Sequence, residues 1–111
     1  MRTNEAKLEQ IMLDLGYPEN LLGTQYVRVA VQAFRPGMSM TKELYPAIAK
    51  ACESTPSRVE RAIRHATARA FDKAGWSDAP RKYFGNSINP STGIPLNGEL
   101  IARLERLTRD D

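Results

Sequence analysis

The fold class predicted for this chain is all-α, a compact bundle of about five to six helices that contains a helix-turn-helix and no β-strands. Three observations carry that reading. Apolar residues recur at i, i+3, i+4 and i+7 in several separate stretches. Tyr17-Pro18 and Arg35-Pro36-Gly37 cut the chain between those stretches. Two of the helices are joined by a turn of only Glu53-Ser54, and the second carries a basic outer face.

The first helix is drawn by Leu8, Ile11, Met12 and Leu15, with Thr3 or Asn4 as N-cap and Gly16 as its C-terminal stop. Asn20 is expected to cap a second helix whose Leu22, Tyr26, Val29, Ala30 and Ala33 share a face. Val27 and Val31 add a second apolar stripe, which makes this helix central. A third helix falls between Thr41 and Cys52, with Leu44, Ile48, Ala51 and Cys52 facing inward. Pro46 has no N–H to give back to Lys42, so the regular helix is expected to begin near Tyr45 with the proline in its first turn.

Thr55 then caps a helix over residues 56–73, where Pro56 costs nothing at the first helical position. At 100° per residue, Val59, Ala62, Ile63, Ala66 and Ala70 fall on one side of it, and Ser57, Arg61, Arg64 and Ala68 on the other. Small Ala49 permits a close crossing of the third and fourth helices. The glycine common in such turns is missing, so the turn is expected to form without an easy positive φ. A short helix over Ala79–Phe84 follows, anchored by Tyr83 and Phe84, then a loop from Asn86 to Asn97. The last helix carries Leu100, Ile101, Leu104 and Leu107, a stripe that is either core or a dimer seam. Asp110 and Asp111 oppose the helix dipole and predict a frayed end.

A length of 111 residues suits one domain, spanning 1–111. One cysteine, Cys52, excludes an intramolecular disulfide and a cysteine-built zinc site, and its apolar spacing reads as a buried thiol and not a reactive one. Apolar runs are too short to span a membrane and the N-terminus lacks a signal-peptide core, so a cytoplasmic protein with no membrane partner is expected. Neither a glycine-rich phosphate loop, a nucleophile-and-base pair nor a carboxylate cluster is present, which speaks against an enzyme, a bound cofactor or a metal.

The charge is more informative than its modest total of +3. Residues 1–55 carry six basic and six acidic side chains, and residues 75–111 five of each. The whole excess therefore falls on residues 56–74, where Arg58, Arg61, Arg64, Arg69 and Lys73 outnumber Glu60 and Asp72. A neutral body with one basic helix suits a polyanion bound locally. Double-stranded DNA is the expected partner, since a rigid helix fits its major groove better than the deep, narrow one of A-form RNA. The competing reading is a helical protein-interaction module that uses the same basic face.

Arg61 and Arg64 each present a guanidinium fork suited to O6 and N7 of guanine. Glu60 either accepts from a cytosine amino group or pairs with Arg64 one turn on. His65, the one histidine, has no metal-ligand companions, which leaves a base or phosphate contact or plain exposure. Ser57 and Arg58 at the helix start suit phosphates, as do Arg81 and Lys82 ahead of the long loop, although two solvated charges are the equal alternative there.

The segment Ser57-Arg58-Val59-Glu60-Arg61-Ala62-Ile63-Arg64-His65-Ala66 resembles the C-terminal DNA-binding effector domain of stage zero sporulation protein A, the response regulator that commits endospore-forming bacteria to sporulation. The likeness includes Thr41-Lys42, Leu44-Tyr45-Pro46, Ile48-Ala49-Lys50, Phe84-Gly85, Pro95, Asn97, Glu99 and Ile101-Ala102, and so covers nearly the whole chain. The resemblance implies a winged-helix-like, all-helical effector domain that binds a short G-containing promoter box at the bacterial nucleoid. It also implies tandem or dimeric binding, regulation of transcription, and contact with RNA polymerase sigma factors. The link over Phe34–Met40 looks shorter than in the family. No receiver domain precedes the first helix in this sequence, so either an excised domain or a stand-alone regulator is expected, the latter without phosphorylation as its switch.

Overall fold

Asn4 opens the first helix of the computed structural model, which describes residues 2–73 and 78–110. Its side chain accepts a hydrogen bond from Lys7 N at 3.1 Å, and α1 (Glu5–Leu15) ends at Gly16, left-handed at φ 82°. Helix α2 (Leu22–Ala33) starts after Leu21, not from an Asn20 cap, and no side chain caps it. Instead, Thr24 Oγ1 donates to the Pro18 carbonyl at 2.6 Å and holds the entering loop.

The inward face of α2 also differs from the expected one. Tyr26 and Ala30 are buried, but Leu22 is 61% exposed and Val29 and Ala33 are half-buried. Gly23, Val27 and Val31 complete the buried sector. That rotation comes from Gly23, which lets α2 lie directly against the backbone of a later helix.

Pro46 shapes the third helix. Residues Met40–Leu44 form a widened π-helical turn, with Leu44 N donating to Ser39 O and Tyr45 N to Met40 O. The regular helix α3 (Tyr45–Ala51) begins after it, at the expected residue, with the proline in its first turn. Ser39 Oγ accepts from Lys42 N while Glu43 accepts from Ser39 N, a reciprocal cap displaced by the extra residue of the turn. Leu44, Ile48 and Ala49 are buried, whereas Ala51 is exposed and Cys52 half-buried, because the helix ends there and the chain turns away.

The turn itself corrects a further expectation. Glu53 takes a left-handed φ of 54°, alone among the described non-glycine residues, so the positive φ is adopted without the glycine that usually supplies it. Ser54 N donates to Ala49 O across the turn. Thr55 Oγ1 then accepts from Arg58 N at 3.3 Å, capping α4 (Pro56–Lys73).

Helix α4 makes its most extensive contact with α2 and also packs on α3. Val59, Ile63, Ala66, Thr67, Ala70 and Phe71 are buried. Tyr17 and Thr67 share a buried hydroxyl bond of 2.8 Å that ties the loop after α1 to the back of α4, and burial pushes the Tyr17 phenol far up. Helix α5 (Ala79–Phe84) sets Phe84 against Phe71 at 5.6 Å between ring centres. Tyr83 donates to Asp14 at 2.7 Å, and Arg103 Nε donates to the Tyr83 carbonyl.

Helix α6 (Asn97–Thr108) buries Leu100, Ile101 and Leu104, with Leu107 half-buried, so its stripe is core. A small correction concerns the termini. Arg2–Thr3 (β1) and Arg109–Asp110 (β2) pair antiparallel, and Asn4 N donates to Thr108 O at 2.6 Å. The expected absence of strands and the frayed end both give way to this two-residue ribbon, whose pairing supplies partners that the end of a lone helix lacks. Asp111 lies outside the described residues.

Candidate nucleic-acid interface

The side chains of α4 divide cleanly at 3.6 residues per turn. Ser57, Arg58, Arg61, Arg64, His65, Ala68 and Arg69 are exposed, while the opposite sector is closed by α2 and α3. Arg61 stands at the centre of the exposed face. Arg58 and Arg69 lie toward its α2 edge, where Ala62 is half-buried, and Arg64 toward the opposite edge, beside Glu60.

The back of the helix explains how that face is presented. Gly23 of α2 lies so close that an added Cβ would fall 1.9 Å from the Ala62 carbonyl oxygen and 2.8 Å from the Ala66 Cβ. A row of alanines thus allows backbone-to-backbone approach on one side, leaving the long cationic side chains for the other.

Glu60 and Arg64 form an ion pair one turn apart, with the Arg64 side chain more than half exposed. Of the two roles open to Glu60, the free protein adopts the intrahelical one. Among the described residues, Arg58, Arg61 and Arg69 have no ion-pair partner, so most of the positive charge of the face is uncompensated.

Beside Glu60 and Arg64 runs a groove of about 380 Å³, walled by Met40, Thr41, Tyr45 and the loop that leads into α6. That loop is ordered by its own turns: Gly93 N donates to Asn89 O, and Asn89 N to Ile94 O. Pro95 is buried, so the loop is packed against the bundle. Tyr45 is nearly buried, and burial pushes its phenol up.

Arg81 and Lys82 are exposed, but they stand apart from the cluster on α4. Their helix docks through Phe84 on Phe71, ten residues beyond Arg61, which is about 15 Å farther along the axis. Lys82 Nζ lies 5.2 Å from the centre of the Tyr83 ring. Six of the eight sequence-predicted residues, Ser57, Arg58, Glu60, Arg61, Arg64 and His65, are therefore brought together on α4, and Arg81 and Lys82 are not.

Sequence reasoning passed over Arg69, which extends the exposed face by a turn beyond His65. It also missed any role for the Asn97 side chain, which resembles an ordinary helix-start residue. Among the described residues, no group of three His, Cys, Asp or Glu is placed to hold a metal ion, and no helix is long and apolar enough to cross a membrane.

Comparison with known families gives a match over residues 8–107 to the family described as sporulation initiation factor Spo0A C terminal. The match includes all of α2 to α5, α1 from Leu8 onward and α6 as far as Leu107.

Proposed function

Given that the chain belongs to the Spo0A C-terminal family, the DNA-binding effector domains of a sporulation regulator, we propose that it reads a short G-containing promoter box by laying α4 in the major groove. The observation that carries this reading is the exposed face of α4, where Arg58, Arg61, Arg64 and Arg69 stand with Arg61 at the centre, against a half-buried Glu60 and an exposed Asp72 at the far end. In this reading the domain is a non-catalytic regulator of transcription, and residues 1–111 act as one unit.

Arg61 and Arg64 address guanine edges, each bidentate contact contributing about 1 to 3 kcal/mol of discrimination. Glu60 holds the Arg64 fork, and accepts from a cytosine amino group where the box supplies one. His65 reaches the next base or phosphate along the groove. Ser57, through its hydroxyl and the one N–H that the first turn leaves free, and Arg58 take phosphates, with Arg81 and Lys82 meeting the backbone farther out. Tandem or dimeric binding and contact with an RNA polymerase sigma factor belong to the same proposal.

The test is a titration against promoter-derived and random duplexes at several salt concentrations. Affinity should fall as salt rises, because phosphate neutralisation releases counterions, and the promoter duplex should be preferred. Arg64→Ala should relax the preference at one guanine, whereas Arg81→Ala should weaken all duplexes alike and flatten the salt dependence. Binding indifferent to both salt and sequence, together with a stable protein complex recovered after DNA is removed, refutes DNA reading in favour of a protein-interaction module.

A further inference from the structure

We propose that Asn97 is a positioning residue for base reading, a role that rests on the DNA-reading assignment above. Asparagine at the start of a helix commonly caps it. Here α6 is entered from Leu96 without any side-chain cap, and the Asn97 amide is turned away from its own helix. Its Nδ2 group donates to Tyr45 Oη at 3.1 Å and to the Glu60 carbonyl oxygen at 3.0 Å. A side-chain amide nitrogen carries two hydrogens, so both are spent, one on the supporting helix α3 and one on the reading helix α4.

The point of attachment matters. In an α-helix, the carbonyl of Glu60 faces the N–H of Arg64, and its second lone pair remains free for Asn97. The Glu60 carboxylate meanwhile holds the Arg64 side chain. Asn97 therefore grips the turn from which Arg64 projects, at the residue that also orients its guanidinium.

Elsewhere, apart from the Tyr17–Thr67 bond farther along at its back, α4 is held by non-directional packing, with Ala62 and Ala66 against the flat surface at Gly23. Such packing fixes the distance between helices more firmly than the rotation of one about its axis. A bidentate contact tolerates errors of about 0.5 Å and 10–20°, so rotation is what a base reader must control. The Asn97 bonds supply a directional restraint on that rotation, on the edge of α4 opposite Gly23.

The experiment compares the whole chain with Asn97→Ala and Tyr45→Phe, measuring affinity for a preferred promoter duplex and for a random duplex at one salt concentration, well below each protein's melting temperature. Asn97→Ala should lower the preference about 5- to 10-fold, as expected for losing directional hydrogen bonds. Binding to the random duplex should stay within twofold. Tyr45→Phe keeps the ring and removes only the acceptor, so its loss of preference should be smaller, about 2- to 3-fold, and it decides the matter if Asn97→Ala does not fold. A purely structural role weakens both duplexes in parallel, or neither, and overturns the proposal. A wild-type preference that the folded variants keep in full removes the Asn97 role alone. A wild-type protein with no preference removes the DNA-reading assignment and this role with it.

Discussion

Replacing Gly23 with alanine tests the contact on which the placement of α4 depends. Helix propensity alone favours the change, by at most about 1 kcal/mol, because Gly23 lies in the first turn of α2 and not in its interior. The structure opposes it. The new Cβ would stand 1.9 Å from the Ala62 carbonyl oxygen and 2.6 Å from its carbon. Both are backbone atoms, so no side chain can rotate to make room, and α4 or α2 must retreat by more than an ångström.

Overpacking of this kind costs about 1–3 kcal/mol, and a clash with backbone belongs at the upper end. After the propensity gain, the net loss should be about 2 kcal/mol, lowering the melting temperature by roughly 10 °C in a domain of this size. Urea unfolding followed by circular dichroism should give a lower midpoint with an unchanged slope. Adding Ala66→Gly removes the 2.8 Å contact but leaves the carbonyl clash, so it should restore little. A Gly23→Ala protein as stable as the wild type, or more so, refutes the close crossing.

Two further outcomes follow from local geometry. Glu53→Gly should raise stability by about 0.5–1 kcal/mol in the same urea assay, since φ 54° strains an L residue and suits glycine; a lower midpoint would mean the left-handed turn is not formed. The Tyr83 hydroxyl holds the Asp14 carboxyl below its ordinary pKa, as Arg109 does for Glu105, so each group contributes stability that is fully present above its unfolded pKa and is lost as pH falls through the folded value. Urea midpoints measured from pH 6 down to pH 2 should therefore decline below about pH 4 to 5, and Tyr83→Phe should flatten part of that decline. An identical acid profile for Tyr83→Phe would show that the bond to Asp14 is absent.

How much of this was legible in the sequence depended on whether a residue's role was local. Asn4, Gly16 and Thr55 act within one turn of helix, and the bounds of α1 and the start of α4 could be read from them. The face of α4 was equally plain, because Arg58, Arg61, Arg64 and Arg69 all fall outside the sector drawn by Val59, Ile63, Ala66 and Ala70. Helix α2 was different, since it is apolar on more than one side and the inward sector is selected by Gly23, a residue with no side chain to contribute to any stripe. Glu53 gave no sign of a left-handed conformation, which the docking of α3 on α4 imposes from outside the turn. The pairing of Arg2–Thr3 with Arg109–Asp110 joins the two ends of the chain through four residues with no strand pattern. Asn97 was hidden for the opposite reason, because its residue type already had an ordinary explanation at a helix start.

Under the proposed mode of DNA reading, the Glu60–Arg64 pair raises the question whether a glutamate on the α4 face works against it. An exposed i,i+4 ion pair is worth about 0.3–0.5 kcal/mol, and Arg64 is more than half exposed. A bidentate arginine–guanine contact discriminates by about 1–3 kcal/mol, so releasing Arg64 to a base costs less than the base returns. The pair is therefore a holder and not a lock: it narrows the conformations of a long side chain before DNA arrives. The carboxylate also repels phosphate oxygens, which disfavours the sequence-blind contact that an unrestrained arginine would otherwise make. With the Glu60 carbonyl bonded to Asn97, the holder is itself fixed to α6. Arg61 has no such support among the described residues, and is free to settle on whichever edge or phosphate the groove presents. Two arginines on one face thus differ in kind, and sharp discrimination should belong to Arg64.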